Sequence, residues 1–125
     1  MKYITQLQPN EIFVFGSNTS GRHGKGAAKQ AMSWGAKYGQ AEGLQGRTYG
    51  IPTLDGKFKK LTLQKIQKYV DNFISVAKEH PELTFLVTDI GCGLAGFKHE
   101  EIAPLFEEAL SLSNVKLPEV FKELL

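Results

Sequence analysis

Short apolar runs, each closed by glycine or proline, alternate along this chain with segments whose apolar positions recur every three or four residues. Glu11-Ile12-Phe13-Val14-Phe15 is β-branched and aromatic and is interrupted by Gly16-Ser17-Asn18, a pattern that predicts a buried strand ending in a loop. Ala27 to about Lys37 carries small and unbranched residues and predicts a helix whose end Gly35 weakens. Gly46–Ile51 predicts a short strand stopped at Pro52, which has no N–H to give to a ladder. From Leu63, the positions Ile66, Val70, Phe73, Ile74 and Ala77 mark one face of a helix, with Thr62 as its N-cap and Pro81 beyond its end.

Thr84–Ile90 predicts a second buried strand, ended by Gly91. Ile102, Leu105, Phe106, Ala109 and Leu110 mark a further helical face, which accommodates Pro104 in its first turn. A short strand at Val115–Leu117 and a turn of helix around Val120–Leu124 complete the series. Strands alternating with helices, without repeats, predict one layered α/β domain over 1–125 whose mixed, mostly parallel sheet is flanked by helices.

Composition narrows this picture. The 125 residues, 42% hydrophobic and 22% charged, suit an ordinary globular domain. No apolar run approaches the roughly 20 residues a bilayer requires, and Met1–Glu11 lacks the features of a secretion signal. A cytoplasmic location and no membrane partner are therefore expected. Lys and Arg (15) nearly balance Asp and Glu (13), which argues against a domain built to bind a large polyanion. The single cysteine, Cys92, cannot form an intrachain disulfide or a thiolate zinc site. His23, His80 and His99 lack metal-ligand spacing, so neither a metal nor a cofactor is expected.

The candidate chemistry lies in two glycine-rich segments, each following a predicted strand. The first contains Gly16, Ser17, Asn18, Gly21, Gly24 and Gly26; the second is Gly91-Cys92-Gly93-Leu94-Ala95-Gly96-Phe97. Glycines let backbone N–H groups approach a phosphate closely, a following helix start adds a positive dipole end, and Arg22, Lys25 and Lys29 add charge. If both strands run parallel, both segments lie at the carboxyl edge where ligands of such sheets bind; tight turns are the plainer reading of either alone. Gly91–Gly96 matches G-x-G-x-x-G, but too little chain follows it for a dinucleotide half-domain. Gly21 and Gly26 have P-loop spacing, but Ala27-Ala28 occupies the Lys-Ser/Thr positions, which argues against an NTPase.

The stretches Phe13–Ala28 and Thr88–Phe97 resemble the macro-domain group, small α/β modules that bind ADP-ribose and in some members hydrolyse its esters and conjugates. They are most similar to a compact subgroup of phage and bacterial proteins with a macro-like fold. The resemblance covers about half of the chain. It implies that Asn18 and the Gly21/Gly24/Gly26 run wrap a distal ribose, and that Gly91–Phe97 holds a diphosphate, with Cys92 in a position that is Ser or Thr in the family. Met1–Asn10 contains no Asp, so the acid that reads adenine in that family has no counterpart. The implied partner is a small molecule, ADP-ribose or a related nucleotide; an ADP-ribosylated protein or a nucleic acid is the alternative.

Were the domain catalytic, Asn18 would orient a water or ribose hydroxyl, His23 would serve as general base, and Asp89 would hold a hydroxyl or polarise water. Turn caps at Asn18 and Asp89, and a solvated loop residue at His23, are the plainer alternatives. Cys92 reads as a small loop residue, or as a nucleophile paired with His23 or His99. Asp55 reads as a turn residue or a pocket carboxylate, and Trp34, Tyr38 and Tyr49 as core or as base-stacking rings. Lys57-Phe58-Lys59-Lys60 is a dense basic patch, either solvated or a nucleic-acid contact.

Overall fold

In the computed structural model, which describes residues 4–125, the strand β1 (Glu11–Asn18) shows why its apolar run is unbroken. Phe13 and Phe15 enter one apolar cluster with Ala28, Ala31 and Ala36, while Ile12 and Val14 enter a larger one on the opposite face. A strand covered on both faces needs no polar alternation. The chain continues through α1 (Gly26–Met32), β2 (Gly43–Gln45), β3 (Thr48–Leu54), α2 (Leu63–Glu79), β4 (Thr84–Val87) and α3 (His99–Ile102). It then runs directly into a 3₁₀ segment, Ala103–Ser111, and ends with β5 (Val115–Lys116) and α4 (Glu119–Lys122). The five strands form one sheet in the order β2-β3-β1-β4-β5. Strands β3, β1, β4 and β5 are parallel and β2 is antiparallel at the edge, so the sheet is mixed and mostly parallel, as expected.

The larger cluster lies between the sheet and α2, the 3₁₀ segment and α4. Phe73 of α2 is its hub: its ring meets Tyr49 edge-on at 5.1 Å and Phe85 at 5.4 Å. The helix α2 is where sequence placed it, and the Thr62 hydroxyl accepts from the Lys65 N–H at its start. Among the described residues, no helix is long and apolar enough to cross a membrane.

Several boundaries differ from the sequence expectation. β1 does not stop at Phe15: Gly16 and Ser17 pair with Ile51 and Pro52, and a register shift between Ser17 and Asn18 marks the end of the ladder. β3 runs through Pro52. The Phe13 N–H donates to the Arg47 carbonyl, so alternate β3 amides face β1 and residue 52 faces the other side, where β2 reaches only Gly50. Proline there removes no ladder bond. β4 ends at Val87 rather than Ile90 because the Ile90 N–H turns back to the Thr88 carbonyl at 2.7 Å. α1 ends at Met32, and the amides of Ser33, Trp34 and Gly35 close a tighter turn onto Gln30, Ala31 and Met32. The expected face at Ile102–Leu110 is partly corrected: Ala103, Phe106 and Ala109 are buried three apart, the 3₁₀ period, which leaves Leu110 exposed. The short strand β2 has no counterpart in the sequence reading.

Candidate functional site

β1, β3 and β4 deliver their following segments to one edge of the sheet. From β1 the chain passes through α1 toward β3 on one side, and from β4 it passes through α3 to β5 on the other. Adjacent strands whose connections diverge in this way leave a crevice between their carboxyl ends. The two glycine-rich segments meet there: a methyl group added at Gly16 would stand 3.5 Å from the Gly91 nitrogen, and one at Gly26 would stand 3.6 Å from a Leu94 methyl.

In the first segment, only Thr19–Lys25 is loop; Gly16, Ser17 and Asn18 are strand, and Gly26 opens α1. Asn18 is buried, and its side chain builds the loop. Its Oδ1 accepts from the Arg22 N–H at 3.0 Å and the Ser20 hydroxyl at 2.8 Å, and its Nδ2 donates to the Arg22 carbonyl at 2.9 Å. The Ser17 hydroxyl donates to the Ala41 carbonyl. At φ +69°, Gly21 lies against the backbone of Gly39, whose N–H donates to the Gly21 carbonyl.

His23 is not a solvated loop residue. It is 3% exposed, its ring is edge-on to Phe15 at 5.2 Å, and its Nε2 lies 2.9 Å from the Gln40 carbonyl. A carbonyl only accepts, so Nε2 carries the proton and, in the neutral ring, Nδ1 holds the lone pair. That Nδ1 is buried without a partner. Proton abstraction from a ligand in the crevice would require the ring to leave this packing.

The second segment is a compact turn in which Cys92, Gly96 and Phe97 donate backbone N–H groups to Asp89, Gly93 and Gly91. Among the described residues, the N–H groups of Gly93, Leu94 and Ala95 here, and of Gly24, Lys25 and Gly26 in the first segment, find no protein acceptor. Gly24 and Gly93 both face open space. Leu94 is 71% exposed, whereas Ala95 and Phe97 are buried. Backbone donors and open glycines together can receive an anion.

The side-chain chemistry beside this turn is limited. Burial, followed by the charge of Asp89, pushes the Cys92 thiol up to about 12, so it is a protonated loop residue rather than an activated nucleophile. Asp89 and His99 approach to 3.7 Å at the end of β4, both partly exposed. Among the described residues, no group of acidic, cysteine or histidine side chains is arranged to hold a metal.

A third wall comes from the connection after β3, which the sequence offered only through Asp55 as a pocket carboxylate. The β3–α2 connection carries the basic patch to the same edge, where the Lys60 Nζ donates to the Gly96 carbonyl at 3.2 Å and lies 4.7 Å from the Phe97 ring centre. Gly56 faces Ser20, and the Arg22 guanidinium lies 5.8 Å from the centre of the exposed Phe58 ring. The signal for this was the patch itself, but its position follows from β3 lying beside β1. Asp55 is the turn residue of this connection: its Oδ1 accepts from the Lys57 and Lys59 N–H groups, which hold its carboxyl below the usual range. An open hollow of about 530 Å³ adjoins it, lined by Thr19, Asp55, Lys65, Lys68 and Tyr69 among others; no residue from Gly91–Phe97 lines it. Tyr49 is core, Trp34 packs on Phe13 at 4.9 Å, and Tyr38 is exposed beside His23.

Compared with family models, curated proteins and solved structures, the chain matches none.

Proposed function

We propose that this chain is a macro-like nucleotide-binding domain that takes ADP-ribose, or a related ribose phosphate, into the crevice between β1 and β4. The observation that carries the reading is the meeting of both glycine-rich segments where the connections of two adjacent parallel strands diverge. The unpaired N–H groups of Gly24–Gly26 and Gly93–Ala95 supply donors for phosphate oxygens without a dedicated side chain. The resemblance of Phe13–Ala28 and Thr88–Phe97 to ADP-ribose-binding modules supports the same ligand class. Binding is the primary activity in this reading. Asn18 and His23 are engaged in structure, so turnover of a ribose linkage would fall to Asp89 with His99.

Gly93 gives the direct test. A side chain there would meet nothing within 4 Å, and its backbone lies outside the left-handed region, so Gly93→Leu places bulk beside the free N–H groups of this turn without straining the fold. Calorimetry with ADP-ribose, NAD, cyclic ADP-ribose and simple nucleotides should give saturable binding to the native protein. Gly93→Leu should weaken it at least about tenfold, the equivalent of one lost charge-assisted hydrogen bond, at an unchanged melting temperature. Silence of the native protein across that panel sinks the reading.

A further inference from the structure

Phe58 is the one non-glycine residue among those described with a left-handed backbone, at φ +62°. A β-carbon makes that conformation costly, and an aromatic side chain adds nothing to offset it when, as here, the ring is 53% exposed. The turn that imposes it is tightly built: Asp55 takes the Lys57 and Lys59 amides on its carboxylate, its N–H donates to the Lys59 carbonyl, and the Phe58 N–H donates back to the Asp55 carbonyl. The outcome is an exposed ring carried on a hydrogen-bonded turn of the third wall, with the Arg22 guanidinium 5.8 Å from its centre. Two residues further on, Lys60 ties this wall to Gly96. Arg22, Lys57 and Lys59 make no ion pair within 4.0 Å among the described residues, so beside the single Asp55 carboxylate the turn carries an excess of positive charge.

We propose that Phe58 is the platform on which the base of the bound nucleotide stacks, with Arg22 and the flanking lysines beside it. The inference rests on the nucleotide reading above and adds a base subsite to it. An exposed aromatic face holds any base through its π-surface and reads no hydrogen-bond edge. The chain therefore needs no base-reading acid, and the predicted ligand class is a nucleoside diphosphate sugar held with little base selectivity. The alternative occupant of a basic, aromatic surface is a single-stranded nucleic acid, but the same connection that carries Phe58 is tied through Lys60 to the Gly96 carbonyl of the second glycine-rich segment, which favours a ligand shared between the ring and that segment.

The test compares ADP-ribose with ribose 5-phosphate, which lacks the base, on native protein, Phe58→Gly and Phe58→Trp. Phe58→Gly relieves the left-handed strain, so its melting temperature should hold or rise while its affinity for ADP-ribose falls about 10- to 100-fold, the span of one lost stack. Its affinity for ribose 5-phosphate should not change. Phe58→Trp should bind ADP-ribose at least as tightly as native, and its indole fluorescence should be quenched by ADP-ribose and not by ribose 5-phosphate. If native protein prefers ADP-ribose and Phe58→Gly keeps that preference, the stacking proposal is overturned while the nucleotide reading stands. If native protein binds neither compound, the nucleotide reading fails and the base subsite with it. Tight, steeply salt-dependent binding of a short oligothymidylate without binding of ADP-ribose overturns the proposal in favour of a nucleic-acid surface.

Discussion

At the scale of single residues, the two glycine-rich segments hold groups that build the loops and groups that face open space. Asn18 belongs to the former, since three hydrogen bonds bind its amide to Ser20 and Arg22. Asn18→Ala deletes an acceptor shared by two donors and should cost about 1–3 kcal/mol in urea unfolding; a lost function in that variant would therefore reflect loop geometry. Gly21 is more demanding. Its φ of +69° and its contact with the Gly39 backbone leave no room for a methyl group. Gly21→Ala should destabilise by about 2–4 kcal/mol, from left-handed strain and overpacking together. Gly93→Ala, in open space, should stay within about 0.5 kcal/mol of native. Equal losses at the two glycines would refute this division of roles.

At the scale of elements, local chemistry was legible and pairing was not. The helix α2 could be read residue by residue, because its period and its Thr62 cap are written within one stretch of chain. Gly16 and Pro52 both looked like stops, yet both lie inside one ladder, opposite Ile51 and Ser17, since what extends a strand is its neighbour and not its own sequence. The meeting of both glycine-rich segments was an inference conditional on parallel strands. The Lys60–Gly96 contact was out of reach because strand order places it. The 3₁₀ segment shows the same limit in another form. Apolar residues at Leu105, Phe106, Ala109 and Leu110 suit a period of 3.6, but the chain buries Ala103, Phe106 and Ala109 at a period of three. Two substitutions distinguish the periods. Phe106→Ala, fully buried between Phe73 and Phe121, should cost about 3–5 kcal/mol, and Leu110→Ala no more than about 0.5 kcal/mol. Comparable losses would restore the α-helical face.

At the scale of the whole molecule, the groups whose protonation folding alters set the shape of stability against pH, and they bear on what chemistry the second segment can perform. Burial raises the Cys92 thiol from 9.0 to about 12, and burial with Glu42 nearby raises the Tyr49 hydroxyl from 10.0. In both, the folded state holds its proton more tightly than the unfolded chain. Their stabilising contribution is complete below the unfolded values and is lost as pH rises through the folded ones. Asp55 acts in the opposite direction. Its lowered carboxyl contributes above its ordinary 3.8, and that contribution disappears as pH falls. Urea midpoints followed from about pH 7 to 11 should therefore decline from near pH 9 in the native protein. In Cys92→Ser the decline should begin only near pH 10, where Tyr49 starts to matter. Parallel declines from pH 9 would show that the thiol is not the responsible group. The same proton accounts for reactivity: at neutral pH, iodoacetamide should modify the folded protein far more slowly than the urea-unfolded chain, because the thiolate is the attacking species. A thiol held protonated between Gly91 and Gly93 leaves the second segment to act through its backbone donors, so Cys92→Ser should bind ADP-ribose as native does, whereas Gly93→Leu should not.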